Sequence, residues 1–175
     1  GNTIGPGNVI SGNTSDGVYV YDYTGQYIDN TRIIGNLIGT DSSGTVAVPN
    51  GGEGVDIGVS GNVDPSGVSN TTVGGLAAGE QNVISGNVSH GVLLYDGNGA
   101  STFDGNAVIR NLIGVDKFGS APLGNGGHGV LLGAGHDLLV GGTQDNAGNT
   151  IAHNALDGVS ITSSGLRNKV LQNSI

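Results

Sequence analysis

The chain contains no cysteine, no methionine and no tryptophan among its 175 residues. The absence of cysteine excludes a disulfide framework and a thiolate metal site. Aromatic residues are scarce, with 5 Tyr and 2 Phe, and hydrophobic residues make up 35% of the chain. This composition can fill a narrow column of small aliphatic side chains, but it cannot fill a wide globular core.

Positive charge is also scarce, because 5 Lys and Arg residues stand against 14 Asp and Glu residues, giving a net charge of −9. Nucleic-acid affinity depends on clustered Lys and Arg, and anionic membranes attract basic segments in the same way. No apolar run approaches the ~20 residues that a membrane-spanning helix needs. The composition therefore predicts no nucleic-acid partner and no membrane insertion.

Glycine is abundant, with 36 residues, and two repeated segments organise the chain. The segment 8–13, Asn-Val-Ile-Ser-Gly-Asn, returns unchanged at 82–87 and in a looser form at 149–154. A second segment, Ile-Ile-Gly-Asn-Leu-Ile-Gly at 33–39, is matched by residues 108–114. Self-similarity at a long period is typical of a stacked architecture rather than of one globular core.

Two kinds of unit alternate along the chain, and the second kind carries an additional loop that we call an excursion, at residues 40–53 and 115–128. The plain units span residues 2–29, 70–104 and 137–165, and the excursion-bearing units span residues 30–69, 105–136 and 166–175. We interpret the chain as one β-solenoid segment of a longer protein, with about five to six coils stacked on one another.

Short segments with a period-two alternation of apolar residues follow each Gly-Val pair, and they are typical of strands. If each strand pairs in parallel with its copy one coil away, at ~4.8 Å, the aliphatic side chains form continuous inward columns. One column is predicted from Val18, Val55, Val92, Val130 and Val159, each followed by a second inward residue: Val20, Ile57, Leu94, Leu132 and Ile161. Another is predicted from Ile10, Ile38, Ile84, Ile113 and Ile151. Because no segment has a sustained 3.6-residue period, we predict an all-β fold with almost no α-helix.

Asparagine recurs where each coil should turn a corner. The predicted corner residues are Asn13, Asn87 and Asn154 in one row and Asn36, Asn111 and Asn173 in another. Asparagine tolerates the left-handed backbone conformation that tight corners need, and its side chain can bond to its copy on the next coil. We therefore predict a structural asparagine ladder at these positions.

The pattern Asn-x-Ile-x-Gly-Asn followed by Gly-Val-x-Val or Gly-Val-x-Ile resembles the right-handed parallel β-helix repeat of pectate-lyase-like proteins. The block formed by residues 36–41 and 50–55 is similar to a variant found in large bacterial exported and surface proteins. The resemblance covers nearly the whole chain and implies an extracellular or cell-surface, bacterial location. The resemblance does not identify a function, because lyases, epimerases, tailspikes and adhesins all have this fold.

Lyases and hydrolases of this fold use clustered acidic residues, often with calcium, together with an Arg or Lys base. Here Arg32, Arg110 and Arg167 flank the same strand region but do not occupy matched positions. The Asp-Pro-His motif of alginate epimerases and the Trp-Ile-Asp-His motif of pectate lyases are both missing from the sequence. We therefore assign no catalytic residue, and a polysaccharide lyase or epimerase stands as an alternative.

An acidic residue or a histidine precedes each of the five Gly-Val pairs that open the columns through Val18, Val55, Val92, Val130 and Val159. These residues are Asp16, Glu53, His90, His128 and Asp157. Histidine titrates near neutral pH and binds metal, so stacking would make this row a candidate for transition-metal binding or proton transfer. The competing interpretation is a solvent-facing corner position that accepts any polar side chain.

Calcium is the one cofactor that the sequence leaves open. Residues 51–57, which include Glu53 and Asp56, match the calcium repeat of repeat-in-toxin proteins, but the equivalent stretch has Leu131 where an Asp is needed. Asp41 and Asp116 occupy matched positions in the two excursions and form a second candidate. A calcium-stabilised surface module is thus a further alternative, set against the interpretation of these segments as ordinary turns.

The tyrosines at positions 19, 21 and 95 are candidates for stacking on sugar rings, with Asp22 and Asp96 beside them to bond hydroxyl groups. The competing interpretation is that the rings cover sheet edges. Our preferred hypothesis is a structural or adhesive role rather than an enzymatic one. The chain would be a rigid acidic rod that presents periodic loops to a polysaccharide or another protein, and copies would join end to end into fibres.

Overall fold

The computed structural model describes residues 1–23, 27–59, 67–97, 102–162 and 165–175. Regular structure in these residues is entirely β-strand, so no membrane-crossing helix occurs among them. In chain order the strands are β1 (Thr3–Ile4), β2 (Val9–Ile10), β3 (Val18–Asp22), β4 (Ile28–Asp29), β5 (Arg32–Ile33), β6 (Leu37–Ile38), β7 (Val55–Val59), β8 (Val68–Ser69), β9 (Thr72–Gly74), β10 (Val83–Ile84), β11 (Val92–Asp96), β12 (Ala107–Ile109), β13 (Leu112–Ile113), β14 (Val130–Leu132), β15 (Leu139–Gly141), β16 (Thr150–Ile151), β17 (Val159–Ile161) and β18 (Lys169–Leu171).

Three parallel sheets account for most of these strands. The first sheet has the order β1-β5-β9-β12-β15-β18, the second β16-β13-β10-β6-β2 and the third β17-β14-β11-β7-β3, while β4 and β8 form a small fourth sheet. The chain visits the first, second and third sheets in turn and then returns to the first, and we call one such passage a circuit. The predictions of an all-β fold and of parallel pairing between repeated segments are confirmed.

The strand register places like residues over like residues. In the third sheet Val18, Val55, Val92, Val130 and Val159 pair in succession. In the second sheet the aligned residues are Ile10, Ile38, Ile84, Ile113 and Ile151. A third column, which is not among the predicted ones, runs through the first sheet along Ile4, Ile33, Val73, Val108, Val140 and Val170. The three columns pack into one apolar cluster between the sheets.

One expected inward residue is exposed. Ile161 was predicted to point inward with Val159, but it is 52% exposed. It lies in β17, which is the terminal strand of the third sheet. No described strand of that sheet lies over β17 on its outer side, so Ile161 does not gain the burial that Leu94 and Leu132 obtain from a neighbour on each side.

Two continuous ladders of asparagine amides line the corners on either side of the second sheet. The ladder between the first and second sheets contains Asn8, Asn36, Asn82, Asn111, Asn149 and Asn173. The ladder between the second and third sheets contains Asn13, Asn50, Asn87, Asn125 and Asn154. Each Nδ2 donates to the Oδ1 of the next asparagine, at 2.8 to 3.1 Å. The structure therefore contains the predicted residues but interleaves them with five further asparagines.

The ladder amides satisfy almost all of their hydrogen-bonding capacity. Asn111 Nδ2 donates to the Oδ1 of Asn149 and to the carbonyl of Val73, while its own Oδ1 accepts from Asn82. The backbone N–H of Asn111 donates to the same Oδ1 of Asn149, at 2.8 Å. Because buried amides are costly only when they lack partners, this arrangement lets a row of polar side chains lie inside the fold.

The predicted left-handed backbone at these asparagines is wrong, because the preceding residue adopts it instead. The residues with positive φ are Gly12, Gly86 and His153 in one row and Gly35, Arg110 and Gln172 in the other, with φ between 52° and 75°. The tight bend thus falls one residue before the ladder. The asparagine itself keeps an ordinary backbone, and its side chain points along the stacking direction.

The two excursions fold back on the outer face of the second sheet as short hairpins. Antiparallel bridges close them, between Thr40 and Ala47 in one and between Val115 and Pro122 in the other. Beneath them lies a small apolar cluster of Val83, Leu112 and Val115, against which Leu37 and Ala152 pack. The backbone N–H of Lys117 donates to the carbonyl of Gly44 at 2.9 Å, so the hairpins contact each other across the intervening circuit.

We predict that Asn111→Ala destabilises the protein by about 3 kcal/mol, because it leaves the Asn82 amide and two carbonyls without buried partners. Asn173→Ala, at the half-buried end of the same ladder, is the matched control, and we expect a loss of about 1 kcal/mol because water can replace its contacts. Urea unfolding followed by circular dichroism measures both. Equal losses would contradict the ladder as the source of the difference.

Candidate functional site

One row of polar side chains lies at the corner where the third sheet begins. Backbone hydrogen bonds join each following glycine to the next member of the row, from Gly17 N–H to Glu53, Gly54 to His90, Gly91 to His128 and Gly129 to Asp157. Asp16, Glu53, His90, His128 and Asp157 are therefore stacked, one per circuit. We call this row the corner column.

Three side chains of the corner column accept a hydrogen bond from the backbone of the next circuit. Asp16 Oδ1 accepts from the N–H of Glu53 at 2.8 Å, and His90 Nδ1 accepts from the N–H of His128 at 2.9 Å. His128 Nδ1 accepts from the N–H of Asp157 at 3.2 Å. A ring nitrogen can accept only when it carries no proton, so these bonds require neutral imidazoles with the proton on Nε2.

The two imidazoles stack on each other, with ring centroids 5.1 Å apart and planes inclined by 14°. Burial lowers the pKa of His90, and the neighbouring His128 ring lowers it further. Each Nδ1 accepts a hydrogen bond from the backbone, so both rings take part in the stacking of the circuits. Among the described residues, the one group of three potential metal-ligand side chains contains no histidine.

That group is a carboxylate cluster formed by Asp16, Glu53 and Asp56, whose potential ligand oxygens all lie within 4.8 Å of one another. Asp56 lies in β7, between Tyr19 of β3 and Leu93 of β11 in the register of the third sheet. It is only 9% exposed, and its Oδ1 is buried without a hydrogen-bond partner. All three residues are candidates from the sequence, but no sequence pattern brings them together in one site.

The cluster has unusual protonation behaviour because its charges are close together and partly desolvated. Burial raises the pKa of Asp56 to about 7, and the charges of Glu53 and Asp16 contribute to the rise. Burial and the adjacent Asp16 also raise the pKa of Glu53, against the opposing effect of a hydrogen bond from Ser89. Ser89 Oγ donates to Glu53 Oε1 at 2.9 Å, and Ser15 Oγ donates to Asp16 Oδ2 at 3.2 Å.

No ion pair within the described residues brings an Arg or Lys to this cluster. The ion pairs of Arg side chains there join Arg32 to Glu80 and Arg167 to Asp137. The Arg110 guanidinium donates to the carbonyl of Leu76. The described site thus does not show the pairing of a basic side chain with two carboxylates on which the lyase or epimerase alternative depends.

Tyrosine rings cover the outer face of the third sheet beside the cluster. Tyr19 and Tyr21 stack in parallel, with centroids 4.7 Å apart and planes inclined by 5°, and Tyr23 lies against both. A cavity of about 440 Å³ opens between Ser15, Asp16, Tyr19 and Tyr23. Aromatic rings and carboxylates therefore share one side of the molecule.

Two glycines allow tyrosine rings to lie flat on the sheet. Tyr21, Gly58 and Tyr95 are aligned in the register of the third sheet. A β-carbon at Gly58 would lie 2.4 Å from Cε2 of Tyr21, and one at Gly133 would lie 2.7 Å from Cδ2 of Tyr95. Each ring therefore occupies the space that a side chain on the next circuit would need, and any larger residue would lift the ring.

The acidic residues predicted to accompany these tyrosines lie elsewhere. Asp22 and Asp96 are 2% and 4% exposed, and they lie on the buried side of the alternation in β3 and β11. Asp22 Oδ2 accepts from the N–H of Gly67 at 3.2 Å. The expectation that these two carboxylates bond sugar hydroxyls at the outer surface is therefore wrong.

The excursion carboxylates stabilise turns. Asp41 accepts from Ser43 Oγ at 2.7 Å and from the N–H groups of Thr45 and Val46 at 3.2 Å. These hydrogen bonds, the Ser43 hydroxyl foremost, hold the pKa of Asp41 below its usual range. Asp116 accepts from two backbone N–H groups in the same way, at 2.9 and 3.0 Å, and its pKa is lowered by them. Neither belongs to a group of three potential metal ligands in the described chain.

No family model, no curated protein and no solved structure matches the chain. The resemblance to pectate-lyase-like β-helices thus stays a prediction from the repeated residues.

Because of the histidine pair, we predict that the protein loses stability in mild acid. Because folding lowers the pKa of His90, the unfolded chain binds a proton more readily, and stability falls as the pH drops below the ordinary histidine pKa of ~6.5. His90→Asn keeps an acceptor near the Nδ1 position and does not titrate. Thermal melting across this pH range should show a smaller acid loss for His90→Asn than for the wild type, and parallel curves would contradict the assignment.

Asp56 is expected to change the stability of the protein with pH in the opposite direction to His90. Its folded pKa of about 7 lies above the ordinary aspartate pKa of 3.8, so ionisation removes stability as the pH rises between these values. In metal-free buffer above neutral pH, Asp56→Asn should therefore stabilise the protein, by on the order of 2 kcal/mol after allowance for solvent screening. Urea unfolding measures the change, and a destabilised variant would contradict it.

Proposed function

We propose that the chain is a segment of a right-handed parallel β-helix that acts as a rigid, acidic rod in an extracellular structural or adhesive protein. Sheets of six, five and five strands correspond to five complete coils and the start of a sixth. Each described strand of the three sheets pairs only with the equivalent strands of neighbouring circuits, which supports a solenoid whose stability is a sum of neighbour contacts. The two asparagine ladders support stiffness along the stacking direction.

The contact surface of the proposed rod is the outer face of the third sheet. The observation that carries this proposal is the row in which the rings of Tyr21 and Tyr95 lie flat over Gly58 and Gly133. Tyr19 and Tyr95 remain 45% and 42% exposed. Aromatic rings with one apolar face and a polar hydroxyl are suited to the flat apolar faces and the hydroxyl groups of sugars. We therefore propose that this face binds an extended glycan.

Charge favours a neutral glycan over an acidic one. The chain carries a net charge of −9, and the carboxylate cluster lies beside Tyr19 with no basic side chain paired to it in the described residues. A negative surface repels uronate and sulfate groups, especially at low ionic strength. Neutral hexose polymers are therefore the proposed ligand class.

Affinity electrophoresis and calorimetry with a panel of neutral and acidic polysaccharides test the proposal. We expect binding to at least one neutral polymer and an affinity about tenfold lower for the double variant Tyr21→Ala, Tyr95→Ala, from ~0.7 kcal/mol per ring. Tyr27→Ala is the matched control, because Tyr27 is 54% exposed but lies away from this face, beside Ser69. Circular dichroism would verify folding of both variants.

Two outcomes would overturn the glycan proposal. One is the absence of binding to every neutral polymer in the panel. The other is an equal loss of affinity in Tyr27→Ala and in the double variant, because a general effect of removing exposed rings would then explain the result.

A further inference from the structure

The side chain of Asp56 is a buried carboxylate with one unsatisfied oxygen. Its side chain leaves the outer face of β7, between Tyr19 and Leu93 on the neighbouring strands, and it is 9% exposed. Its Oδ1 is buried and has no hydrogen-bond partner. An ionised carboxylate in such a position is unfavourable unless a positive charge compensates it. The arginines that form ion pairs in the described residues, Arg32 and Arg167, lie against Glu80 and Asp137 instead.

The surrounding oxygens have the spacing of a hard-cation site. The potential ligand atoms of Asp16, Glu53 and Asp56 lie within 4.8 Å of one another. Calcium binds oxygen ligands at ~2.3–2.6 Å, so oxygens on opposite sides of one ion are up to ~5 Å apart. Magnesium requires shorter bonds of ~2.1 Å in a strict octahedron. The set contains no nitrogen or sulfur ligand, which disfavours zinc and copper.

We propose that Asp16, Glu53 and Asp56 form a calcium site that joins two successive coils. Asp16 precedes β3 in one coil, whereas in the next coil Glu53 precedes β7 and Asp56 lies in β7, the strand that pairs with β3. One ion bound there compensates three adjacent negative charges and provides the partner that Asp56 Oδ1 lacks. The site shares the outer face of the third sheet with the tyrosine rings, but the calcium proposal does not rest on glycan binding.

Neighbouring hydroxyl groups orient two of the ligands. Ser15 Oγ donates to Asp16 Oδ2, and Ser89 Oγ donates to Glu53 Oε1. Such hydrogen bonds hold ligating carboxylates in place and are a regular part of metal sites. The cavity between Ser15, Asp16, Tyr19 and Tyr23 opens one of the three ligands, Asp16, to solvent. It also leaves room for the water molecules that complete a coordination shell of six to eight oxygens.

Calorimetric titration of the chelator-treated protein with CaCl₂ tests the site, together with thermal melting in chelator and in calcium. We expect one ion per chain and a melting temperature that rises with calcium concentration, because an ion that binds only the folded state stabilises it. Asp56→Asn and Glu53→Gln should each weaken calcium binding by at least about tenfold. Asp145→Asn, which removes the same charge at an exposed position outside the cluster, should leave binding unchanged.

The variant Asp56→Asn separates loss of binding from loss of folding. In chelator it should melt at or above the temperature of the wild type, because it removes a buried charge, and addition of calcium should raise its melting temperature less. The proposal is overturned if the wild type shows neither binding heat nor a calcium-dependent melting shift. An equal response to MgCl₂, or an equal loss in Asp145→Asn, would also overturn it.

Discussion

The in-register stacking of asparagine amides is the constraint on which the rest of the structure depends. Each interior amide donates to the next circuit and accepts from the previous one, and it does so where water has little access. A slip of one residue would place a different side chain under every amide and leave several buried polar groups without partners. The ladders therefore fix the register, and the register in turn aligns the aliphatic columns inside and the polar and aromatic rows outside.

Much of the fold could be predicted from the sequence because period-two alternation and exact repeats are local signals. The columns through Val55 and Ile38 follow directly from them. The ladder partners Asn50 and Asn125 were missed because the excursions displace them from the repeated segments. A signal was nevertheless present, since both stand four residues before the glycine of a Gly-Val pair, as Asn13, Asn87 and Asn154 do. The left-handed residue was misplaced by one position because neighbouring Gly and Asn both suit a corner.

The candidate site was predictable only in part. The corner column follows from the repeat, because every member precedes a Gly-Val pair. The burial of Asp56 does not, because it depends on Tyr19 and Leu93 flanking an outward-facing strand position. The buried position of Asp22 was available from the alternation, which places it on the same side as Val18 and Val20. At this position the strand period is a better guide to burial than the polar character of the side chain.

The contact between the two excursion hairpins has a mechanical consequence. Lys117 of one hairpin bonds to Gly44 of the other and bridges the strand β10 that lies between them. This hydrogen bond connects three successive circuits into one block, whereas without it the circuits would separate one at a time. A force that pulls the ends of the chain apart should peel the outer circuits first and meet its greatest resistance at this block, so the molecule would extend in unequal steps.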